Sequence, residues 1–463
     1  MLYVIGSLIC YPLLTKRHVL KQKEKYAEQA AKETVDRGAS VRCLDDNTQA
    51  LVYRLALIES AQRELIMTTF DMSDGESGQD LMAAMLQAAD RGVRIRLMVD
   101  GINAWLKLEK SDLFGAFSTH PNIEIRFYNP IRLTKLWKLN YRMHDKYLIA
   151  DDTAYILGGR NSNNLFLGAY RDTYNIDRDL YVLERTEKNA SDIMQKKERN
   201  SLQDIKAYFE KIWVQPDQKI FRKKETEKTK EGLALLREHY KELQTAYPEA
   251  FSKTETLLTQ DLIRVDSIRF LHNPLYADEK VPVVYQRICQ EMEQGETILI
   301  QTPYIICDKG MYQDLSELCR AGKQIEIITN AVESGANPWG CTDYLNERKS
   351  ILKTGAGVYA CMAGQSLHTK TVLIDDETSI VGSYNLDLRS TYLDTELMLL
   401  VKSKELNKQL RDQAAAYQEK SSYEKAGKPS RTGSLYEKKE MSGMQKVIYS
   451  ILRILIRPIR EVL

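Results

Sequence analysis

Apolar residues in this chain recur in two rhythms. Over 48–63 and 79–90 they return every three or four positions, as on an amphipathic helix, and each stretch precedes an apolar run of strand length, 65–70 and 93–99. The second half repeats the succession, with helical spacing over Val283–Gln294 and 311–320 and strand-like runs over Thr297–Gln301 and 324–328. Each series then reaches two short apolar runs split by an acidic turn. These are Tyr147–Ala150 with 154–157, and Thr371–Ile374 with 379–381, and both read as β-hairpins. Strands alternating with helices predict an α/β fold with mostly parallel sheets. The duplication predicts two pseudo-symmetric α/β sandwich halves in one chain, with an active site at their interface.

The polar pattern sharpens this division. Residues 1–44 read as an apolar N-terminal segment and basic linker, 45–215 as the first half and 216–262 as a charged helical connector. Residues 263–420 read as the second half, and 421–463 as a flexible tether followed by an amphipathic helix. The Lys- and Glu-rich stretches 184–200 and 222–231 are expected to be solvated. With 463 residues, 43% of them hydrophobic, the chain can build two sizeable cores. A net charge of only +2 gives no reason to expect a polynucleotide partner. Seven scattered cysteines without a C-x-x-C spacing suggest reduced thiols, neither a disulfide framework nor a zinc site. Neither a G-x-S-x-G elbow nor a Walker-type phosphate loop is present, which removes the serine-hydrolase and nucleotide-hydrolysing templates.

Chemistry is concentrated where the repeat is closest. His144, Lys146 and Asp151 stand in the same register as His368, Lys370 and Asp375: Lys two and Asp seven positions after His. Gly158, Gly159 and Asn161 follow His144 by 14, 15 and 17 positions, and Gly382, Ser383 and Asn385 follow His368 by the same offsets. On an extended chain residues two apart share a face, so each His and its Lys project together. Two imidazoles, two ammonium groups and two amides suit phosphoryl diester transfer. One neutral His attacks phosphorus and the other, protonated, donates to the departing alkoxide. Lys146 and Lys370, helped by Asn161, Asn385 and Ser383, would hold the non-bridging oxygens. No metal ion and no cofactor is then needed. Asp179 and Glu396, in strand-like runs after each motif, are the candidate carboxylates that orient the two imidazoles. Asp151 and Asp375 complete the constellation and are expected to shape the hairpin turn rather than to carry protons.

These paired His-x-Lys-x4-Asp motifs, each followed by Gly-Gly/Ser-x-Asn, resemble those of the phospholipase D superfamily. The run Gly382–Arg389 and the variants Arg142-Met143-His144 and Gly158-Gly159-Arg160-Asn161 resemble bacterial cardiolipin synthases in particular. The resemblance covers roughly residues 45 to 420. It implies a phosphohistidine intermediate with His144 as nucleophile and His368 as general acid, an assignment that the nearly symmetric sequence does not itself decide. It implies a phosphatidyltransferase that makes cardiolipin from phosphatidylglycerol, and possibly uses phosphatidylethanolamine. A phospholipase D that hydrolyses lipids to phosphatidic acid is the alternative, and a nuclease or other phosphodiesterase ranks third.

Both ends of the sequence point to a lipid surface. Residues 2–14 are apolar but shorter than the roughly 20 residues of a bilayer span, and the basic residues after them suit an interfacial anchor with a cytosolic body. Residues 445–463 mix aliphatic side chains with Lys446, Arg453, Arg457 and Arg460, as in helices that lie on anionic lipid. Arg132, Lys135, Lys138 and Arg142, interleaved with Leu133, Leu136, Trp137 and Leu139, suit a phospholipid's phosphate and acyl chains. The expected location is the cytosolic face of a bacterial cytoplasmic membrane.

Overall fold

A computed structural model describes residues 3, 6–20, 35–184, 199–276 and 279–463. The chain divides into two compact units. One is Glu33–Phe270; the other joins Met1–Lys32 to Leu271–Leu463.

The first unit is built on a nine-stranded sheet. In chain order its strands are β1 (Ser40–Leu44), β2 (Glu64–Thr69), β3 (Arg94–Asp100), β4 (Ile123–Tyr128), β5 (Tyr147–Ala150), β6 (Ala154–Gly158), β7 (Asp179–Leu183), β8 (Lys219–Phe221) and β9 (Ile263–Arg264). Across the sheet they run β9-β1-β7-β6-β5-β2-β3-β4-β8. Only the neighbouring pairs β2–β3 and β3–β4 are parallel, so the sheet is mixed rather than mostly parallel. The motif hairpin β5–β6 inserts antiparallel beside β2, because a two-strand hairpin needs no crossover.

Helices cover both faces of this sheet, which explains why its strands read as nearly continuous apolar runs. Leu65, Met67, Ile95, Leu97, Val99, Ile125 and Phe127 join a core with residues of the helices Asn47–Ser60, Glu76–Asp90 and Asp112–Phe117. On the other face, Arg96 and Tyr147 meet Phe209 of the helix Ser201–Trp213, at 4.8 and 6.4 Å between groups. That helix starts in a capping box between Asn200 and Gln203.

The expected boundaries shift accordingly. β1 already belongs to the first sheet, as do β8 and β9, and the helix Glu227–Ala246 sinks Leu236, Tyr240 and Leu243 into the same core. The stretch 216–262 is therefore part of the first unit's architecture rather than a connector. Of the charged stretch 184–200, residues 185–198 lie outside the described residues.

The second sheet repeats the plan. Its strands are β10 (Ser267–His272), β11 (Thr297–Gln301), β12 (Gln324–Asn330), β13 (Gly357–Cys361), β14 (Thr371–Ile374), β15 (Thr378–Gly382), β16 (Leu397–Lys402), β17 (Ser421–Glu424) and β18 (Arg431–Thr432). Their order is β10-β16-β15-β14-β11-β12-β13-β17-β18, so six central strands follow the same sequence as β7-β6-β5-β2-β3-β4. β17 and β18 occupy the segment expected to be a tether; the backbone of Ser421–Glu424 pairs with β13 instead. Among the described residues no helix is long and apolar enough to cross a membrane.

Candidate functional site

In the first unit, the chain leading to His144 is fixed by the last residue of β3. Asp100 is fully buried, takes Nε and Nη2 of Arg142 at 2.9 and 2.8 Å, and accepts the backbone N–H of Met143 at 3.3 Å. Burial pushes the Asp100 carboxyl up, and the Arg142 guanidinium opposes this. Arg142 also donates to the carbonyls of Tyr128 and Asn129. The motif follows as extended chain just before β5. The His144 ring lies edge-on to Phe70, with centroids 5.1 Å apart. Lys146, 2% exposed, donates to the His144 carbonyl at 2.6 Å and stands 5.4 Å from the centre of the Phe70 ring. Between them Asp145 accepts the Tyr208 hydroxyl at 2.8 Å. This is the alternation an extended chain imposes.

The second unit builds the same seat with different atoms. Asn330 ends β12 as Asp100 ends β3. Its Oδ1 accepts the Leu367 N–H at 2.7 Å, and its Nδ2 donates to the Leu367 and Pro303 carbonyls at 2.7 and 2.9 Å. Lys370, 1% exposed, donates to the His368 carbonyl and to Nδ1 of its ring, and lies 3.2 Å from Nε2. Asn161 and Asn385 are both buried, and each leaves its side-chain oxygen without a hydrogen-bond partner. Nδ2 of Asn385 donates to the Tyr304 hydroxyl at 3.3 Å. Asp100 and Asn330 were not among the sequence candidates. Their sign is only that each is a polar residue closing a strand whose centre is apolar.

Asp151 and Asp375 are clamps. Both sit at positive φ, +51° and +48°, in the turn of the hairpin. The Asp151 carboxylate accepts the backbone N–H groups of Gln62, Arg63 and Glu64 at 2.8–2.9 Å. That of Asp375 accepts those of Glu296 and Thr297 at 2.9 and 2.8 Å. Burial raises the Asp375 carboxyl, but these amides outweigh it and hold it below the usual range. Each motif Asp thus ties its turn to the start of the neighbouring strand, β2 or β11.

The strand register also changes which carboxylate matches Glu396. Gly158 pairs with Asp179 across β6 and β7, and Gly382 with Met398 across β15 and β16. Asp179 therefore corresponds to Met398, and the counterpart of Glu396 is Asp177. Asp179 accepts Arg54 at 2.9 Å and Arg160 at 3.3 Å in a buried ion-pair cluster, so it supports the sheet and not His144. Asp177 is 33 residues after His144, whereas Glu396 is 28 after His368. The loop 162–176 is five residues longer than 386–395, which no count from the His alone reveals.

Ser383 is a partner of this carboxylate and not a phosphate contact. Its hydroxyl donates to Glu396, accepts the Leu397 N–H at 3.0 Å and is fully buried. At the matching Gly159, an added Cβ would lie 2.3 Å from Oδ1 of Asp177. The longer Glu thus goes with Ser and the shorter Asp with Gly. Arg132, Lys135 and Lys138 converge on Asp217, and Arg142 is taken by Asp100. Among the described residues, no group of three or more His, Cys, Asp or Glu is placed to hold a metal ion.

A family profile described as "Cardiolipin synthase, PLD-like domain" matches residues 55–213 and 288–417. An uncharacterized protein of Helicobacter pylori strain 26695 is 25% identical over 428 residues, spanning 83% of this chain and 80% of its own. Cardiolipin synthase C of Escherichia coli K12 is 26% identical over 408 residues, spanning 78% and 81%. The major cardiolipin synthase ClsA of Bacillus subtilis is 26% identical over 360 residues, spanning 77% and 64%. In fold, the chain resembles the crystal structure of phosphatidylserine synthase from Haemophilus influenzae Rd KW20. The TM-score is 0.64 at 15% identity, with 96% of this chain and all of that one covered.

Proposed function

The chain belongs to the cardiolipin synthase, PLD-like domain family of the phospholipase D superfamily, and we propose that it makes cardiolipin by passing a phosphatidyl group through a phosphohistidine. In the first step the neutral His144 imidazole attacks the phosphorus of a donor such as phosphatidylglycerol. The bond from phosphorus to the head-group oxygen breaks, and His368 gives its proton to the departing alkoxide. In the second step the now neutral His368 takes the proton of an acceptor phosphatidylglycerol hydroxyl. That oxygen bonds to phosphorus as the P–N bond breaks. Lys146 and Lys370 offset the negative charge on the non-bridging oxygens, which water would otherwise stabilise.

The observation that carries this reading is the duplicated seat: in both units a buried Lys donates to its own motif's His carbonyl, with a buried Asn 17 positions after the His. The unpartnered amide oxygens of Asn161 and Asn385 suit glycerol hydroxyls, which the donor and acceptor both carry. We place the enzyme at the cytosolic face of a cytoplasmic membrane, where both lipids reside. Water in place of the acceptor would make it a phospholipase D, which only products distinguish. Lipid mass spectrometry after incubation with phosphatidylglycerol micelles, with and without phosphatidylethanolamine and with a His144→Ala control, tests this. Cardiolipin formed only with His144 intact supports transfer; phosphatidic acid alone makes the protein a hydrolase; unchanged lipid overturns both.

A further inference from the structure

The helix Gly443–Leu455 is docked with the wrong side out. Met444, Val447, Ile448, Ile451, Ile454 and Leu455 fall on one stripe of the helix and are 43–71% exposed. The opposite side faces the second unit through Tyr449, buried beside Cys341, and through Arg453, whose Nε donates to Asn346 at 2.9 Å. The 3-10 turn that follows, Arg457–Val462, is fixed more firmly. Arg460 pairs with the largely buried Asp343 at 2.7 Å and donates to the Cys307 carbonyl. Arg389 donates to the Val462 carbonyl at 3.0 Å. These bonds prevent the helix from rolling its apolar stripe inward.

A second element joins this surface. Lys16, on the helix Tyr11–Leu20, pairs with Glu461 at 2.9 Å and with Asp308 at 2.7 Å, and sits 4.1 Å from the centre of the Tyr392 ring. Leu14, two residues earlier, is 62% exposed. Tyr392 and Arg389 both belong to the short helix Leu388–Tyr392, which begins three residues after Asn385. The exposed stripe is thus anchored on the loop of the second motif.

We propose that the stripe of Gly443–Leu455 is the surface by which this protein lies on an anionic lipid bilayer. Lys446 on the helix and Arg457 just after it are exposed, so that the apolar stripe suits acyl chains and these cations suit anionic head groups. A second copy of the chain fits less well. A 13-residue helix is about 20 Å long, so its stripe offers a few hundred Å², well under the roughly 800 Å² per partner of a stable dimer. The inference rests on the phospholipid reading above, but its test does not depend on turnover.

The test compares the full chain with its Ile451→Glu/Ile454→Glu variant in sedimentation with phosphatidylglycerol-containing vesicles. Both positions point away from the body, and far-UV circular dichroism together with the milder Ile451→Gln variant guards against a folding defect. The double variant is expected to lose at least tenfold in vesicle partitioning while keeping its rate on detergent-dispersed substrate. His144→Ala should bind vesicles as the native chain does, which separates failure of docking from failure of the catalytic reading. Unchanged vesicle partitioning in the double variant overturns the proposal. So does a dimer that the double variant converts to monomer without loss of vesicle binding, since the stripe would then be an interface between copies.

Discussion

Gly159, beside the first motif, leaves no room for a side chain. At Gly159 a methyl group would come within 2.3 Å of the Asp177 carboxylate, and Asp177 is 1% exposed and cannot retreat into solvent. Gly159→Ala is therefore expected to displace Asp177 and lower kcat by more than tenfold, while Tm moves only a few degrees. Measured kcat within twofold of the native value would show that Asp177 has no part in setting the site. Asp387 offers a second handle. Its carboxyl is pushed up to about 7, first by burial and then by the charges of Glu396 and Asp394, against the opposing N–H of Ser390. An unfolded Asp titrates near about 3.9, so the folded state holds the proton over the window between. The stability this group contributes is complete below that lower value and is lost as the pH rises through about 7. Asp387→Asn keeps an oxygen to cap Ser390 and cannot titrate. Urea unfolding at pH 5 and pH 8 should show the native chain losing more stability than the variant, and parallel losses would refute the assignment.

At the scale of elements, the turn Asp does work that the motif's spacing conceals. Asp151→Ala leaves three strand-start amides without their acceptor and puts a Cβ without a compensating side-chain bond at φ +51°. The expected cost is about 2 kcal/mol, or a fall in Tm of roughly 5 °C, with the activity of the folded fraction kept within about twofold. A loss of several orders in activity with Tm unchanged would return Asp151 to the chemistry. The elements that the sequence did predict, the two hairpins and the helix–strand alternation before them, have strong periods because both sheet faces and the helix stripes are buried. Those it hid are short or lie at edges. β1, β8 and β17 have three to five residues and mixed burial, so no period develops. A helix is expected within 216–262, but its docking onto the first sheet is hidden because only Gly232, Leu236, Tyr240 and Leu243 of the 20 residues of Glu227–Ala246 are buried. Asp177 was passed over for Asp179 because the strand-like run begins at Arg178, and only the pairing of Gly158 with Asp179 shows which carboxylate matches Glu396.

For the molecule as a whole, the duplication is close but not equal, and the inequality makes the division of labour testable. His144 has the ring of Phe70 at its edge, while the matching position after β11 is Pro303; Lys370 reaches a ring nitrogen of its own His as well as its carbonyl. If His144 is the nucleophile and His368 the acid, a substrate whose leaving group departs readily as an anion needs only the first. With a p-nitrophenyl phosphodiester, His368→Ala should therefore release close to one equivalent of nitrophenolate per protein and then stall, because no base remains to activate the acceptor. With a glycerol leaving group the same variant should release nothing, and His144→Ala should be inert on both substrates. Intact-protein mass spectrometry of the stalled His368→Ala sample should show a phosphoryl adduct that acid removes, as a phosphoramidate requires. A burst and adduct in His144→Ala instead would reverse the two roles, and a burst in neither would exclude a covalent histidine intermediate.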